Sequence, residues 1–275
     1  MNWRAIAFAA ALLLAGCERQ PDAPRVRAET AEAVFVWPGV HPAPEVKART
    51  VYLLDGEVRR DGAARLHRLR MGTPRLPGRT LWLVVRADRL DWTDATRAAI
   101  LADLAQWRAA GNEVAGLQVD FDAATKGLSG YAAFLKDLHA RLPRDVRLSI
   151  TGLMDWSANG DPRALAQLAG TVDEVVIQTY QARSTISGYE AYFAKLANFP
   201  IPFRVALVEG GEWQAPLGLE THPMFRGYAV FLLGRASGFG GRSGFGRGVV
   251  RAEWLEWGVF RMVGFQSRGA TNGSS

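Results

Sequence analysis

The chain has 275 residues, of which 48% are hydrophobic and 22% charged, with a formal net charge of +6. That length and apolar content exclude a disordered chain and allow one large α/β domain with its own core, or two small ones. The arginines are spread along the sequence rather than gathered in a block, which suits a diffuse basic surface facing anionic envelope components and gives little support to nucleic-acid binding.

Arg4 is followed by an apolar run over 5–14 and then by Leu14-Ala15-Gly16-Cys17, the pattern of a secretory signal whose core is too short to span a bilayer as a lasting helix. Leu-Ala-Gly-Cys resembles the bacterial lipobox. That resemblance implies cleavage after residue 16, lipid on Cys17, and export. Cys17 is the chain's one cysteine, so once acylated it leaves no thiol for disulfides, metal or nucleophilic chemistry. Glu18 stands where an aspartate would resemble the inner-membrane retention signal, so the outer membrane, facing the periplasm, is the expected location. Residues 17–33, rich in Pro, Ala and charge, read as a tether.

Short β-branched or aromatic runs then alternate with amphipathic stretches. Strands are expected at 34–37, 51–55, 81–87, 114–122, 147–153, 174–180, 203–208 and 228–233. Helices are expected at 93–110, with Thr93 or Asp94 as cap and Gly111 as stop, at 129–142 before Pro143, at 161–169 and at 188–197. Residues 59–79 and 210–226 lack a clear period and read as loops. Eight strand candidates alternating with helices fit an α/β (β/α)₈ TIM-type barrel over 34–234 better than a doubly wound sheet, and no Gly-x-Gly-x-x-Gly turn follows the first strand.

Residues 235–275 form a tail of different character. Over 234–248 it is mostly Gly, Arg, Ser and Phe, a composition read as a flexible extension, and Trp254, Trp257 and Phe260 beyond it have helical spacing.

The segment Gly116-Leu117-Gln118-Val119-Asp120-Phe121-Asp122 carries most information. Strand side chains alternate, so Gln118, Asp120 and Asp122 share one face and Leu117, Val119 and Phe121 the other. A polar row in a helix-covered sheet is either a hydrogen-bonded cluster closing one end of a barrel or a pair of acids whose pKa values are driven apart. Barrel active sites lie at the carboxyl ends of strands. There the following strands place Asp155 and Trp156, then Gln178, Tyr180 and Gln181, then Glu209, while Trp37 ends the first. Acids, amides, a phenol and indoles in this arrangement suit a sugar. Asp155 as a helix cap, Glu209 as a solvated loop acid, and Tyr180, Trp37 and Trp156 as core residues are the competing readings. His41, His67, His139 and His222 are isolated, and neither a phosphate loop nor a nucleophile elbow is present, so no metal site and no cofactor is expected.

Gly116–Asp122, Tyr131-Ala132-Ala133-Phe134-Leu135, the run 151–156 and the run 172–181 resemble the bacterial family catalogued as domain of unknown function 3142. The resemblance covers roughly 34–234 and implies a glycoside-hydrolase-like TIM barrel of unestablished activity. A more distant likeness is to family 18 glycoside hydrolases, whose fourth strand reads Asp-Gly-x-Asp-x-Asp-x-Glu. On that pattern Gly116 matches the glycine, Gln118 replaces the middle acid, Asp120 is kept, and Asp122 replaces the proton-donating glutamate. In the sixth strand Tyr180 is kept and Gln181 replaces an aspartate. The likeness implies that Asp122 would protonate a glycosidic oxygen, Asp120 would tune it, Tyr180 would hold the ligand, and Asp155 or Glu209 would supply a second carboxylate. Aspartate is a methylene shorter than glutamate, and a setback of that size costs around a hundredfold in rate. Two functions therefore stay open: a lipid-anchored glycosidase, or a non-catalytic carbohydrate-binding or scaffold lipoprotein on a degenerate barrel. Its expected partners are a glycan and the membrane, and the expected state is a monomer.

Overall fold

The computed structural model describes residues 23–234. The strands are β1 (Ala33–Val36), β2 (Thr50–Val58), β3 (Leu66–Arg68), β4 (Thr80–Ala87), β5 (Glu113–Asp120), β6 (Arg147–Leu153), β7 (Glu174–Gln178), β8 (Tyr180–Gln181), β9 (Ser184–Thr185), β10 (Phe203–Val208) and β11 (Phe225–Phe231). The α-helices are α1 (Asp94–Ala109), α2 (Leu128–Arg141), α3 (Met154–Asn159), α4 (Pro162–Ala169) and α5 (Tyr189–Phe193).

Strands β1, β2, β4, β5, β6, β7, β10 and β11 pair in parallel in that order, and β1 also pairs with β11, which closes an eight-stranded barrel. The expected TIM-type barrel is therefore present, with all eight expected strands as its staves, and α-helices fill the four connections from β4 to β10 but not those between β1 and β2, β2 and β4, or β10 and β11. Strand β5 stops at Asp120 rather than at residue 122, leaving Phe121 and Asp122 in the turn beyond it.

Period-two alternation divides the core into two parts. One face of each strand joins the helices, where Leu81, Leu83, Leu117, Val119, Leu148, Ile150, Val175 and Ile177 pack with Ile100, Leu104 and Trp107 of α1 and with Tyr131, Leu135 and Leu138 of α2. The other face fills the barrel with Ala33, Phe35, Tyr52, Leu54, Trp82, Val84, Val176, Ala206 and Ala229. Phe35 stacks on Tyr52 at 4.6 Å, Tyr52 on Trp82 at 6.1 Å, and the Arg147 guanidinium lies 4.9 Å from the Trp82 ring. Gly116 makes room for this ladder: a Cβ there would stand 2.1 Å from the Arg147 carbonyl oxygen and 2.6 Å from Trp82.

Sequence signals set most helix ends. The Thr93 hydroxyl accepts the Thr96 amide at the start of α1, and Asp161 caps α4 by accepting the amides of Arg163 and Ala164, with Pro162 in the first turn. Gly111, with φ of 85°, takes the chain out of α1 as expected.

Three expectations need correction. The helix expected over 188–197 is one short turn, α5, followed by a 3-10 turn at Leu196–Asn198; Gly188, in the left-handed region, offers no side-chain cap at its start. The loop over 59–79 contains β3, which pairs antiparallel with β2 through Gly56–Arg68, Glu57–His67 and Val58–Leu66. The stretch expected as a tether over 17–33 includes structured chain, since Pro24–Val26 bond to the chain at 210–213 and Ala28 is buried. The signal segment, Cys17 and the tail over 235–275 lie outside the described residues.

Candidate functional site

The carboxyl ends of the staves gather the chemistry that alternation points inward. On β4 the parity that buries Trp82 and Val84 also turns Arg86 inward, beside Asp120 on β5. Arg86 Nη1 donates to Asp120 Oδ2 at 3.1 Å, and Nη2 reaches Asp122 Oδ2 at 3.5 Å. One guanidinium thus bridges both aspartates. Thr151 on β6 donates its hydroxyl to Asp120 Oδ1 at 2.8 Å. Asp120 is buried, whereas the Asp122 side chain is 56% exposed and Arg86 is 26% exposed. Asp120 holds the Arg86 guanidinium above its ordinary pKa, burial opposes this, and Asp122 adds to the rise.

Aromatic rings form the opposite wall. The Arg86 guanidinium carbon lies 5.8 Å from the Trp37 ring, Trp37 meets Phe231 edge-on at 5.4 Å, and Tyr180 packs against Phe231 at 5.4 Å. Burial pushes the Tyr180 phenol well above its ordinary pKa, with Asp120 next in effect, so it stays protonated and able to donate. Gln178 donates its Nε2 to the Tyr180 carbonyl at 2.8 Å, and Gln181 pairs with Ser184 in the β8–β9 hairpin just outside. The structure therefore brings Trp37, Asp120, Asp122, Gln178 and Tyr180 to one mouth, with Gln181 at its edge.

Four other expected site residues lie elsewhere. Gln118 sits one layer lower in the barrel, fully buried, donating Nε2 to Ser149 Oγ at 2.9 Å, and so belongs to the interior rather than to a ligand surface. Trp156 is also fully buried, among the helix-side core, where its ring lies too close to Gly152 for a Cβ; it is core rather than sugar platform. Asp155, in the first turn of α3, accepts from the Thr125 hydroxyl and from Asn159 Nδ2 at 3.2 Å, joining α3 to the 3-10 turn at Thr125–Gly127. Glu209 Oε2 accepts the Leu233 amide at 2.7 Å and extends the β10–β11 ladder.

Sequence reasoning missed Arg86 and Thr151. The signal was present in the strand expected over 81–87, where Trp82 and Arg86 share parity and the arginine sits among apolar residues near the carboxyl end. It also missed the polar floor, in which Glu174 accepts from Tyr52 at 2.5 Å, from Arg204 at 3.0 Å and from Ser149 at 3.4 Å. Among the described residues no group of three or more His, Cys, Asp or Glu could hold a metal ion, and no helix is long and apolar enough to cross a membrane.

This is a closed, parallel, eight-stranded barrel of the TIM type with a charged carboxyl mouth. Within that class, residues 77–194, from before β4 to the end of α5, match the family described as a domain of unknown function, DUF3142. The chain is also similar to solved structures. The spore cortex-lytic enzyme SleL of Bacillus cereus is 17% identical, with 65% of this chain and 50% of that one covered and a TM-score of 0.44. A chitinase from Bacteroides thetaiotaomicron is 10% identical, with coverage of 65% and 68% and a TM-score of 0.45. The xylanase and alpha-amylase inhibitor protein XAIP-II from Scadoxus multiflorus is 10% identical, with coverage of 72% and 92% and a TM-score of 0.45. This chain spans half the length of the spore enzyme. No curated protein matches it.

Proposed function

We propose that the barrel mouth binds a saccharide and does not cleave it. The observation that carries this reading is Arg86 placed between Asp120 and Asp122. A proton donor for a glycosidic oxygen must be within hydrogen-bond reach of that oxygen, and here both carboxylates are turned onto one guanidinium instead. The same bridge suits recognition. It fixes two carboxylates as acceptors and Arg86 as a donor, Tyr180 supplies a second donor, and the Trp37 ring offers an apolar face for the flat side of a sugar.

The chain is further read as a lipoprotein of the bacterial envelope, anchored through Cys17 in the outer membrane and facing the periplasm. Support comes from the Leu14-Ala15-Gly16-Cys17 motif behind its apolar run. A mass increase of a diacylglyceryl and an acyl group on the peptide beginning at Cys17, lost in Cys17→Ser, is the expected result.

The binding reading is tested by calorimetric titration of the purified protein against chitin- and peptidoglycan-derived oligosaccharides, beside Arg86→Met and Trp37→Ala. Saturable heat with the native protein, weakened at least about tenfold (~1.4 kcal/mol) in both variants, supports it. Release of reducing ends from the same panel, abolished in Asp122→Asn, would overturn it in favour of a glycosidase.

A further inference from the structure

We propose that the carboxyl mouth of the barrel faces the lipid leaflet that holds the anchor, so that this face and a membrane surface are partners. The inference rests on acylation of Cys17 and adds the orientation that acylation alone does not fix.

Pro24–Val26 dock at the mouth end. The Pro24 carbonyl accepts the Trp213 amide at 3.1 Å, the Val26 amide donates to Gly211 at 2.8 Å, and the Gly210 amide donates back to Val26 at 2.9 Å. Arg25 Nη1 donates to the Gly210 carbonyl at 2.9 Å, and Nη2 pairs with Glu212 at 3.3 Å. Residues 210–213 follow the carboxyl end of β10, so this point is on the rim. It is held tightly there: a Cβ on Gly211 would stand 2.8 Å from the Thr185 hydroxyl of the β8–β9 hairpin, whose first strand carries Tyr180. From the rim the chain descends to Glu32, whose carbonyl accepts the amides of Arg49 and Thr50 at the opposite end of the barrel.

Distance then decides the orientation. The residues from Glu18 to Pro24 number seven, and a chain of that length reaches at most about 25 Å. A six-residue strand such as β10 is itself about 20 Å tall. A lipid on Cys17 can thus lie just outside the mouth, whereas turning the floor toward the bilayer would take up about 20 Å of the linker's reach along the height of the barrel and leave only about 5 Å to enter the leaflet.

The test uses full-length acylated protein in phosphatidylethanolamine–phosphatidylglycerol vesicles containing a lipid with a nitroxide on its headgroup. Acylated Cys17 has no thiol, so single bimane labels can be placed through Arg183→Cys on the rim hairpin and Arg144→Cys before β6 on the floor, both exposed positions. Stronger quenching at the rim than at the floor is expected, and inserting about twenty Gly/Ser residues between Cys17 and Pro24 should erase the difference. Equal quenching, or stronger quenching at the floor, in protein whose intact mass shows the acyl groups overturns the orientation alone. An intact mass without acyl groups overturns the anchoring and the orientation with it.

Discussion

Tyr52 on β2 and Glu174 on β7 meet inside the barrel, the phenol donating to Oε1 at 2.5 Å. The other carboxylate oxygen accepts Arg204 Nε at 3.0 Å, so one buried acid ties three staves together at the floor. Burial, reinforced by Glu174, raises the Tyr52 pKa well above its ordinary value and keeps the phenol a donor. Glu174→Gln leaves Arg204 facing a neutral amide and should cost about 3 kcal/mol of stability. Tyr52→Phe should cost about 1–2 kcal/mol. Urea unfolding of the two variants and their double tests the coupling: losses in the double that simply add would show the contact to be incidental.

At the mouth, Asp120 depends on Arg86 and Thr151. Removing one partner of a buried charge leaves the other under-satisfied. Thr151→Val should cost about 1–2 kcal/mol. Arg86→Gln should cost more than that, and weaken the proposed saccharide binding as well. Equilibrium denaturation beside ligand titration separates the two effects, because Thr151 touches Asp120 without bridging to Asp122.

Glycines give predictions of opposite sign. In Gly116→Ala the new methyl meets backbone on β6, which cannot retreat without opening the β5–β6 ladder, so a loss of about 3 kcal/mol is expected. Gly130 in α2 is exposed with open space around its Cβ direction, so Gly130→Ala should gain about 0.5–1 kcal/mol. Thermal melts of both variants check the contrast.

Asp55 supplies a pH dependence. It is buried, accepts Trp107 Nε1 at 2.9 Å through Oδ1, and has no partner at Oδ2 among the described residues. Burial pushes its pKa up to about 6 from 3.8, with the Trp107 bond opposing, Asp103 adding to the rise and Arg70 lowering it. The fold therefore prefers the neutral acid. That stabilisation is complete below about pH 3.8 and is lost as pH rises through about 6. Asp55→Asn keeps an acceptor for Trp107 and no longer titrates. Relative to this variant, the native protein should lose on the order of 2–3 kcal/mol between pH 4 and 7. Denaturation curves for the two proteins that stay parallel across that range would refute the assignment.

The barrel was legible because its staves obey simple rules. Leu117-Gln118-Val119-Asp120 alternates cleanly, and Thr93 and Asp161 mark helix starts with side chains that can cap. The mouth was legible only in part. Alternation placed Gln118, Asp120 and Asp122 on one face, but the order in which strands pair decides that Arg86 lies beside the two acids, and depth along the barrel decides that Gln118 is sealed below them. Trp156 stood near a strand end in sequence, yet α3 turns it back into the core. The docking of Pro24–Val26 onto 210–213 has no local signal at all, since its partners are nearly 190 residues away.

The seam between β1 and β11 also shapes how this molecule is made. The first stave to leave the ribosome has no neighbour on one flank until residue 229 meets Ala33, so a sheet formed without β11 would be open, with two raw edges. Such distant pairings form late and slowly, and raw edges invite intermolecular pairing. A polypeptide with this layout is safest when held unpaired until its last stave is available. Delivery across a membrane as an extended thread would provide that condition.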